Sequence, residues 1–448
     1  MEPGLSASLA GRLADLGRPP LAAAAREAAK DRLLHGIGVT LTSCRFPAAV
    51  VAWRGVRSES GGCTVLGRPA QLAPEAAAFA NAVAAHSSLQ EDCGPGGLRD
   101  GSHPGTYVIP AAMAAAEASG ASGAQLLAAL VVGYEAVGLL GEIAPPSIVA
   151  RRFRPVGILG PIGAAAAAAA LLNCSPAQMA AALSIAANTA AGFGPGFVAG
   201  SMEPYLHAGF AARNGMLAAR LAAEGASAAP DAFEGPFGLF QTYGGTAGQP
   251  LTAGSGPAIG RLGTKRYAAC LQNQETIALI IGDLPVPVDA ARISHVRVFR
   301  PSTPGNGTAS PGVGSSPPFG TMLQRQMSAR FTAAAALLGR PVDDARYFES
   351  AAGDDAAAAV ASRVELISTG DGPVRVEVTL AGGEVLVAEG DRSGVLRPGP
   401  AEIRARFRAR AGSVLGPAAA DDVARIVGQL ETERDITRLM GALRTAQD

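Results

Sequence analysis

The sequence predicts a mainly α fold with an inserted α+β domain. Helix-forming segments fill the first part of the chain, strand patterns appear within Ile293–Ala388, and helical segments return from Ala401. We therefore expect a large helical domain over residues 1–263, a smaller α+β domain over residues 264–398, and C-terminal helices over residues 399–448 that rejoin the helical domain. A cleft between two such domains is a common place for a small-molecule site.

The helices of the first part are predicted from their ends. Proline suits the first turn of a helix, because its missing N–H would have no partner there, and glycine suits the position after the last turn. Pro74 and Pro176 fill such first turns, and Gly120 and Gly225 such ends. The predicted helices are Pro19–Leu41, Ala73–Ser88, Pro110–Ala118, Ser122–Leu140, Ser175–Ala190 and His207–Glu224. The segment VVAWRG around Trp53, in contrast, is strand-like and is expected to lie in the core.

The α+β part is predicted from alternation and turn residues. ISHVRVF, residues 293–299, alternates as a strand does, and Ala381-Gly382-Gly383 forms a hairpin turn between two further strands. A loop rich in Pro, Gly and Ser over Pro301–Pro318 leads to a helix over Met327–Leu338. The later strands are expected at Val364–Ile367, Val374–Leu380 and Glu384–Ala388.

Composition excludes several classes of protein. The chain has 448 residues with 37 basic and 37 acidic side chains, so the clustered positive charge of a nucleic-acid-binding protein is absent. Charged residues make up only 17% and hydrophobic residues 48%, which indicates a large buried area and favours a homodimer.

Cysteine usage and hydropathy favour a cytoplasmic protein. The five cysteines are scattered without a CxxC pair, so neither a disulfide framework nor a zinc site is expected, and no metal or redox cofactor is predicted. The N-terminal residues 1–25 lack the apolar run of a signal peptide. The most apolar stretch, Ile158–Leu172, is too short and too rich in Ala for a membrane span, so we interpret it as a buried helix.

The densest polar cluster lies in AHSSLQEDCGPGGLRDGSHPG. It contains His86, Glu91, Asp92, Asp100 and His103. A carboxylate beside an imidazole is typical of proton transfer, because the carboxylate orients the ring and tunes its pKa. A solvated loop without a chemical role explains the same residues equally well. A metal site is only weakly indicated, since no HExxH-like spacing is present.

The segments around this cluster resemble the MmgE/PrpD family, which includes 2-methylcitrate dehydratase and cis-aconitate decarboxylase. The resemblance includes AHSSLQEDCG, SHPGTYVIP, the helix that ends in GYEAV, LHAGFAARNG, KRYAACLQNQETI and DITRLMGAL. It implies a homodimer with a helical domain and a lid domain. It also implies metal-free dehydration, decarboxylation or epimerisation of di- or tricarboxylic acids.

The same resemblance assigns site residues. Asp92 and His103 stand at the acid/base positions of the family, and Lys265 stands at its pocket lysine. Arg154 replaces a histidine of the family, and the histidine that usually follows the Lys-x-Tyr-x-x-Cys motif falls at Gln274. We therefore expect Asp92, His103 and Lys265 to be catalytic, and Arg154, Gln274 and His86 to bind substrate.

Two further departures fall on polar positions of the family. Glu203-Pro204 replaces the lysine before Leu-His-Ala-Gly, and Phe331 replaces the tyrosine of Ser-Ile-Pro-Tyr. Because the acid/base residues and Lys265 are retained, the pattern favours a repurposed site over a lost one.

Three hypotheses stay open. The first is a dehydratase-type lyase that acts on a hydroxy di- or tricarboxylic acid, with a specialised biosynthetic pathway as its expected context. The second is a decarboxylase, epimerase or cyclase on the same fold. The third is a non-catalytic homologue, in which Arg154 is merely a surface residue. We expect Asp92, His103, Arg154 and Lys265 to converge on one cleft.

Overall fold

A computed structural model of the chain describes residues 4–18, 20–93, 101–143, 148–149, 151–243, 256–301, 311–370 and 372–445. The helices, in chain order, are α1 (Leu5–Leu16), α2 (Ala23–Ser43), α3 (Pro47–Val56), α4 (Pro74–Ser87), α5 (Val108–Ser119), α6 (Gly123–Ile143), α7 (Pro155–Leu171), α8 (Pro176–Ala187), α9 (Pro195–Ala199), α10 (Glu203–Ala223), α11 (Leu239–Tyr243), α12 (Ala258–Arg261), α13 (Gln274–Asp283), α14 (Met322–Met327), α15 (Ala329–Leu337), α16 (Ala345–Ser350), α17 (Asp355–Ala361), α18 (Pro400–Leu415), α19 (Pro417–Gly428) and α20 (Thr437–Ala442). The strands are β1 (Ser60–Thr64), β2 (Gln71–Leu72), β3 (Asp92–Cys93), β4 (Gly263–Thr264), β5 (Ile293–Arg300), β6 (Val364–Ser368), β7 (Val374–Leu380) and β8 (Val385–Gly390).

The largest hydrophobic core joins both ends of the chain. Leu9 near the N-terminus and Phe407, Val423 and Leu443 near the C-terminus belong to one buried cluster. Helix α2 packs against both α18 and α19. The C-terminal helices thus share the core of the N-terminal ones, while the exact domain boundaries stay a prediction.

The interior of this core contains two very apolar helices. All residues of Ala164–Ala169 in α7 are buried, and α7 packs against α6 and α10. Small alanine side chains let neighbouring helices approach closely, and the prediction of a buried helix here is confirmed. Within the described residues, α6 alone is a single helix long and apolar enough to cross a membrane, but it is buried among other helices, as the core helix of a globular protein is.

A second core lies under a four-stranded sheet with the order β6-β5-β7-β8. Strands β5 and β6 are parallel, and the other neighbouring pairs are antiparallel. Val296 on β5 lies opposite Val364 on one side and Val378 on the other, so branched apolar side chains pack in a row against the helices. The predicted fold class, mainly helical with a smaller α+β part, is confirmed.

The prediction of a strand-like segment at Trp53 is wrong. Residues 47–56 form helix α3, with Pro47 in its first turn, and Trp53 is only partly buried. The guanidinium groups of Arg57 and Arg68 lie over its indole ring. Valines at this position resemble a strand, but the proline start and the packing of α3 on α4 favour the helix.

A short two-stranded ribbon connects the two parts of the fold. Strand β3, which follows α4, pairs with β4, which begins the α+β part, and Asp92 lies opposite Thr264. Because Lys265 follows β4 directly, this pairing brings Glu91 and Lys265 together across 174 residues of sequence.

Candidate active site

An open cavity lies beside this ribbon. Residues from the helical part and from the start of the α+β part line it. The polar side chains among them include His86, Glu91, His103, Arg154, Lys265 and Cys270.

Helix α2 anchors both strands of the ribbon. Arg32 donates hydrogen bonds to the carbonyl oxygens of Ile259, Leu262 and Gly263, just before Lys265. His35 binds the carbonyl oxygen of Gln90 at 2.9 Å through its Nε2, which must be the donor because a carbonyl can only accept. One turn of helix α2, from Arg32 to His35, thus fixes the backbone on both sides of the Glu91–Lys265 contact.

Glu91 and Lys265 form a buried ion pair. Both side chains are 3% exposed or less, and the Lys265 ammonium group donates to Glu91 Oε1. Burial disfavours the ionised carboxyl group, but Lys265 and two neighbouring imidazoles outweigh it and hold the pKa of Glu91 well below its usual value. The cavity therefore contains a carboxylate that stays ionised at neutral pH. The charge of Lys265 is already neutralised by it.

His86 lies on the other side of the same carboxylate. Its Nδ1 is 3.4 Å from Glu91 Oε1, but the geometry is not that of a hydrogen bond, and neither ring nitrogen has a hydrogen-bond partner among the described residues. Burial lowers the pKa of His86, against the opposing effect of Glu91. At neutral pH this side chain is an uncharged imidazole at the cavity wall, consistent with a role in binding.

His103 has a defined tautomer. Its Nδ1 lies 2.8 Å from the carbonyl oxygen of Asp92, so Nδ1 carries the proton and Nε2 keeps its lone pair. Burial and the nearby Lys265 ammonium hold the pKa of His103 well below its usual value. The backbone at His103 is left-handed, with φ of 49°, a conformation that costs a non-glycine residue on the order of 1 kcal/mol.

The Asp92 side chain braces the loop that carries His103. Its Oδ1 accepts the backbone N–H of Gly105 at 2.9 Å, and its Oδ2 accepts the Tyr134 hydroxyl at 2.7 Å. A Cβ atom at Gly105 would come within 2.7 Å of Oδ2, so only glycine allows this approach. Burial raises the pKa of Asp92 to about 6.

Arg154 supplies a second cation to the cavity wall. It precedes α7, and its guanidinium group lies over the Phe197 ring at 4.3 Å. Among the described residues none forms an ion pair with it, and its Nε is buried without a partner. Burial lowers the pKa of Arg154 to about 10, so the group remains charged at neutral pH. A planar cation in this state is suited to bidentate binding of a carboxylate.

The sequence profile of the MmgE/PrpD N-terminal domain matches residues 7–251, which are more than half of the chain. This chain belongs to the MmgE/PrpD family. The predicted family is thereby confirmed.

Curated relatives carry related names. The cis-aconitate decarboxylase-like protein oryM of Aspergillus oryzae is 30% identical over 251 residues, which cover 54% of this chain and 51% of that relative. The cis-aconitate decarboxylase of Mus musculus is 34% identical over 193 residues, covering 42% and 38%, and that of Homo sapiens is 38% identical over 165 residues, covering 36% and 33%. The matches span about half of these relatives or less.

Three of the four residues expected to converge on the MmgE/PrpD-type cleft do so. His103, Arg154 and Lys265 line the cavity, and His86 joins them. The prediction that Asp92 lies in this cleft is wrong. Its carboxylate faces Tyr134 on α6, and the carboxylate in the cavity is that of Glu91. Successive side chains of a strand point to opposite faces, so only one of the two adjacent acidic residues can face Lys265.

The prediction that Gln274 binds substrate is also wrong, because Gln274 does not line the cavity. It opens α13, and its Oε1 accepts the backbone N–H groups of Arg266 and Tyr267. Its Nε2 donates to the carbonyl oxygens of Tyr267 and Ala269. Since the amide is fully used in holding the loop after Lys265, it has no group left for a substrate. Asp100, from the polar cluster, lies outside the described residues.

Several cavity residues were not assigned from the sequence. Glu91 was part of the polar cluster but had no role, and Cys270 and Phe197 were not considered. Cys270 lies in the KRYAAC segment five residues after Lys265, so its position in a family motif was the available signal. Phe197 offers no such signal, because it reaches the cavity through the packing of the short helix α9.

Proposed function

We propose that this protein is a lyase that acts on a carboxylic acid, with His103 moving a proton at the carbon next to the carboxylate that Arg154 binds. The observation that carries the proposal is the tautomer of His103. Its Nδ1 proton is bound to the Asp92 carbonyl, so Nε2 has a lone pair at the cavity. With a pKa well below its usual value, the ring is neutral at pH 7 and can accept a proton.

The charges around His103 suit the step that would follow. Removing a proton from the α carbon places negative charge on the substrate, and Arg154, which has no carboxylate partner among the described residues, lies in the same cavity to stabilise it. In a dehydration the electron pair forms a carbon–carbon double bond as hydroxide leaves the neighbouring carbon. The His103 imidazolium, whose low pKa makes it a good proton donor, returns the proton and water departs.

Proton exchange in D₂O tests the proposal. Candidate acids such as cis-aconitate and alkyl-substituted hydroxysuccinates are incubated with the protein, and deuterium uptake and products are followed by mass spectrometry. His103→Asn is the variant of choice, because asparagine tolerates the left-handed backbone better than most residues. We expect exchange and turnover to fall roughly 10²-fold or more with little change in Tm.

A matched control uses the same substitution elsewhere. His295 on β5 is about half exposed and far from the cavity lining, so His295→Asn should leave exchange unchanged. Equal exchange rates in wild type and His103→Asn would contradict the proposal and favour a non-catalytic protein.

Decarboxylation is the second candidate, because the relatives are named cis-aconitate decarboxylases. In that reaction the carbon–carbon bond to a carboxylate breaks, CO₂ leaves, and the carbanion takes up a proton. The two candidates differ in a measurable product. Release of CO₂ indicates decarboxylation, whereas an unsaturated acid lighter by one water indicates dehydration.

We also propose that the protein is a homodimer. Phe210, Leu217 and Leu221 are about half exposed on α10, and their spacing places them along one face of that helix. A second copy is the occupant that we propose for this face. Sedimentation at micromolar concentration should give twice the 44.8 kDa chain mass, and Leu217→Lys should shift the mass toward that of one chain. A single-chain mass for the wild type would contradict the proposal.

A further inference from the structure

We infer that the acid bound in this cavity carries an apolar arm and no more than two carboxylates. The inference rests on the proposed function, because it assumes that the cavity binds a carboxylic acid, and it goes on to name the class of that acid. It follows from the side chains that line the cavity, which combine several buried apolar groups with few cations.

Part of the cavity wall is apolar. Leu89, Phe197, Leu271 and Met327 line the cavity and are each 6% exposed or less. Leu89, Phe197 and Met327 also belong to a single hydrophobic cluster that extends under α4. These side chains are therefore the edge of a packed core that faces the cavity, where an apolar group of a ligand is favoured over an ionised one.

Among the described residues, the lining offers few cations for anionic groups. Lys265 is neutralised by Glu91, and Arg154, which is partly buried, has no carboxylate partner among those residues. Arg152 also lines the cavity, but it is exposed to solvent, where its charge is screened. The fixed carboxylate of Glu91 adds repulsion.

These two facts limit the number of carboxylates. Arg154 can bind one, and Arg152 at the rim can approach a second. A third would have no further cation among the described residues of the lining, and burying an ion against side chains such as Leu271 and Met327 without a charged partner is strongly unfavourable. An alkyl group in the same place would gain affinity, about fourfold for each methylene buried.

A matched series of ligands tests the inference without any need for turnover. Succinate, ethylsuccinate and butylsuccinate share one dicarboxylate core, and propane-1,2,3-tricarboxylate carries a carboxymethyl arm on the same core. Isothermal titration calorimetry at pH 7.5 should show affinity that rises from succinate to butylsuccinate. The tricarboxylate should bind at least tenfold more weakly than ethylsuccinate.

Two variants separate the contribution of the Arg154 cation from that of the apolar side chains. Arg154→Gln should weaken all four ligands by a similar factor, because they share the core that Arg154 binds. Met327→Ala should reduce the advantage of butylsuccinate over succinate. Met440→Ala is the control, since Met440 is equally buried in the core of the helical part and should leave the affinity order unchanged.

The inference is overturned if the tricarboxylate binds as tightly as ethylsuccinate, or if neither alkylated acid binds. Failure of the proposed function would look different. It would show as proton exchange that is unaffected by His103→Asn, whatever the affinity order, so the two ideas can fail separately.

Discussion

The two sides of the β3–β4 ribbon present adjacent carboxylates in opposite electrostatic states. On the cavity side, Glu91 faces Lys265 and the imidazoles of His86 and His103, and its pKa lies well below the usual value. On the side of the helical core, Asp92 faces the Tyr134 hydroxyl and the Gly105 N–H, and burial raises its pKa to about 6.

The difference shows that burial alone does not set the charge of a carboxyl group here. Both side chains are 3% exposed or less. A full cation at hydrogen-bond distance compensates the loss of water for Glu91, whereas two neutral donors and the more distant Arg32 compensate it only in part for Asp92. The ribbon thus places an ionised carboxylate, that of Glu91, in the cavity, and a carboxyl group that titrates near pH 6, that of Asp92, on the opposite side.

Removing Lys265 should have the largest effect, because it leaves Glu91 buried without its cation. We expect Lys265→Met to lower the free energy of unfolding by about 3–5 kcal/mol at pH 8 and to abolish turnover. The loss should shrink at lower pH, where Glu91 or a neighbouring imidazole takes up a proton. Urea unfolding at several pH values measures this effect.

The double variant Lys265→Met/Glu91→Gln checks the cause. If the buried charge is responsible, the double variant should be more stable than Lys265→Met alone, while remaining inactive. Equal stability of the single and double variants would show that lost packing, not the uncompensated charge, explains the effect.

The titration of Asp92 should give a second, smaller effect with a defined sign. Its folded pKa, about 6, lies above the ordinary 3.8. The folded state therefore binds the proton more tightly, and the associated stability is present below about pH 4 and lost as the pH rises to about 6. A shift of this size corresponds to about 2–3 kcal/mol. Asp92→Asn, which cannot ionise, should gain that amount relative to wild type between pH 4 and pH 8.

Glu91 should show the opposite pH dependence of stability from Asp92. Its folded pKa is depressed, so its stabilising contribution is present above the ordinary carboxyl range and is lost as the pH falls. Glu91→Gln should therefore lose stability relative to wild type at pH 8 more than at pH 4. Parallel pH profiles for the two variants would refute the assignment of opposite states to the two carboxyl groups.

This contrast also shows what the sequence could and could not predict. Local patterns predicted β5, β7 and most helices, because alternation, proline starts and glycine ends are local properties. The choice between Glu91 and Asp92 depends on which of two adjacent residues, one just before strand β3 and one at its start, faces Lys265, and that register is set by pairing with a segment far along the chain. The resemblance to the family selected Asp92 of this pair, whereas the member that faces the cavity is Glu91.

Gln274 shows the same limit of prediction from sequence, here for a loop. Counting positions after Lys265 indicated a polar site residue, but the loop 266–269 curls around the Gln274 amide and presents Cys270 to the cavity instead. Loop conformation decides which residue faces a ligand, and nothing in the residue types of KRYAACLQNQ specifies it. His103, Arg154 and Lys265 were predicted to share one cleft because motif positions carry long-range information that local patterns lack.

The smallest predicted effect comes from removing the Tyr134 hydroxyl, which tests the hydrogen bonding of Asp92 without changing any charge. Tyr134→Phe removes the donor to Asp92 Oδ2 and leaves the ring in its buried place. Because that donor favours the ionised carboxylate, its loss should raise the pKa of Asp92 further and extend the decline of stability above pH 6. We expect Tyr134→Phe to lower the free energy of unfolding by about 1–2 kcal/mol at pH 8 and by less at pH 5.

The control is Tyr205→Phe. The Tyr205 hydroxyl donates to the uncharged amide of Gln326, so its removal should lower the free energy of unfolding by the same amount at both pH values. If the Tyr134→Phe cost were also independent of pH, Asp92 would not be titrating in this range, and the contrast between the two sides of the ribbon would fail.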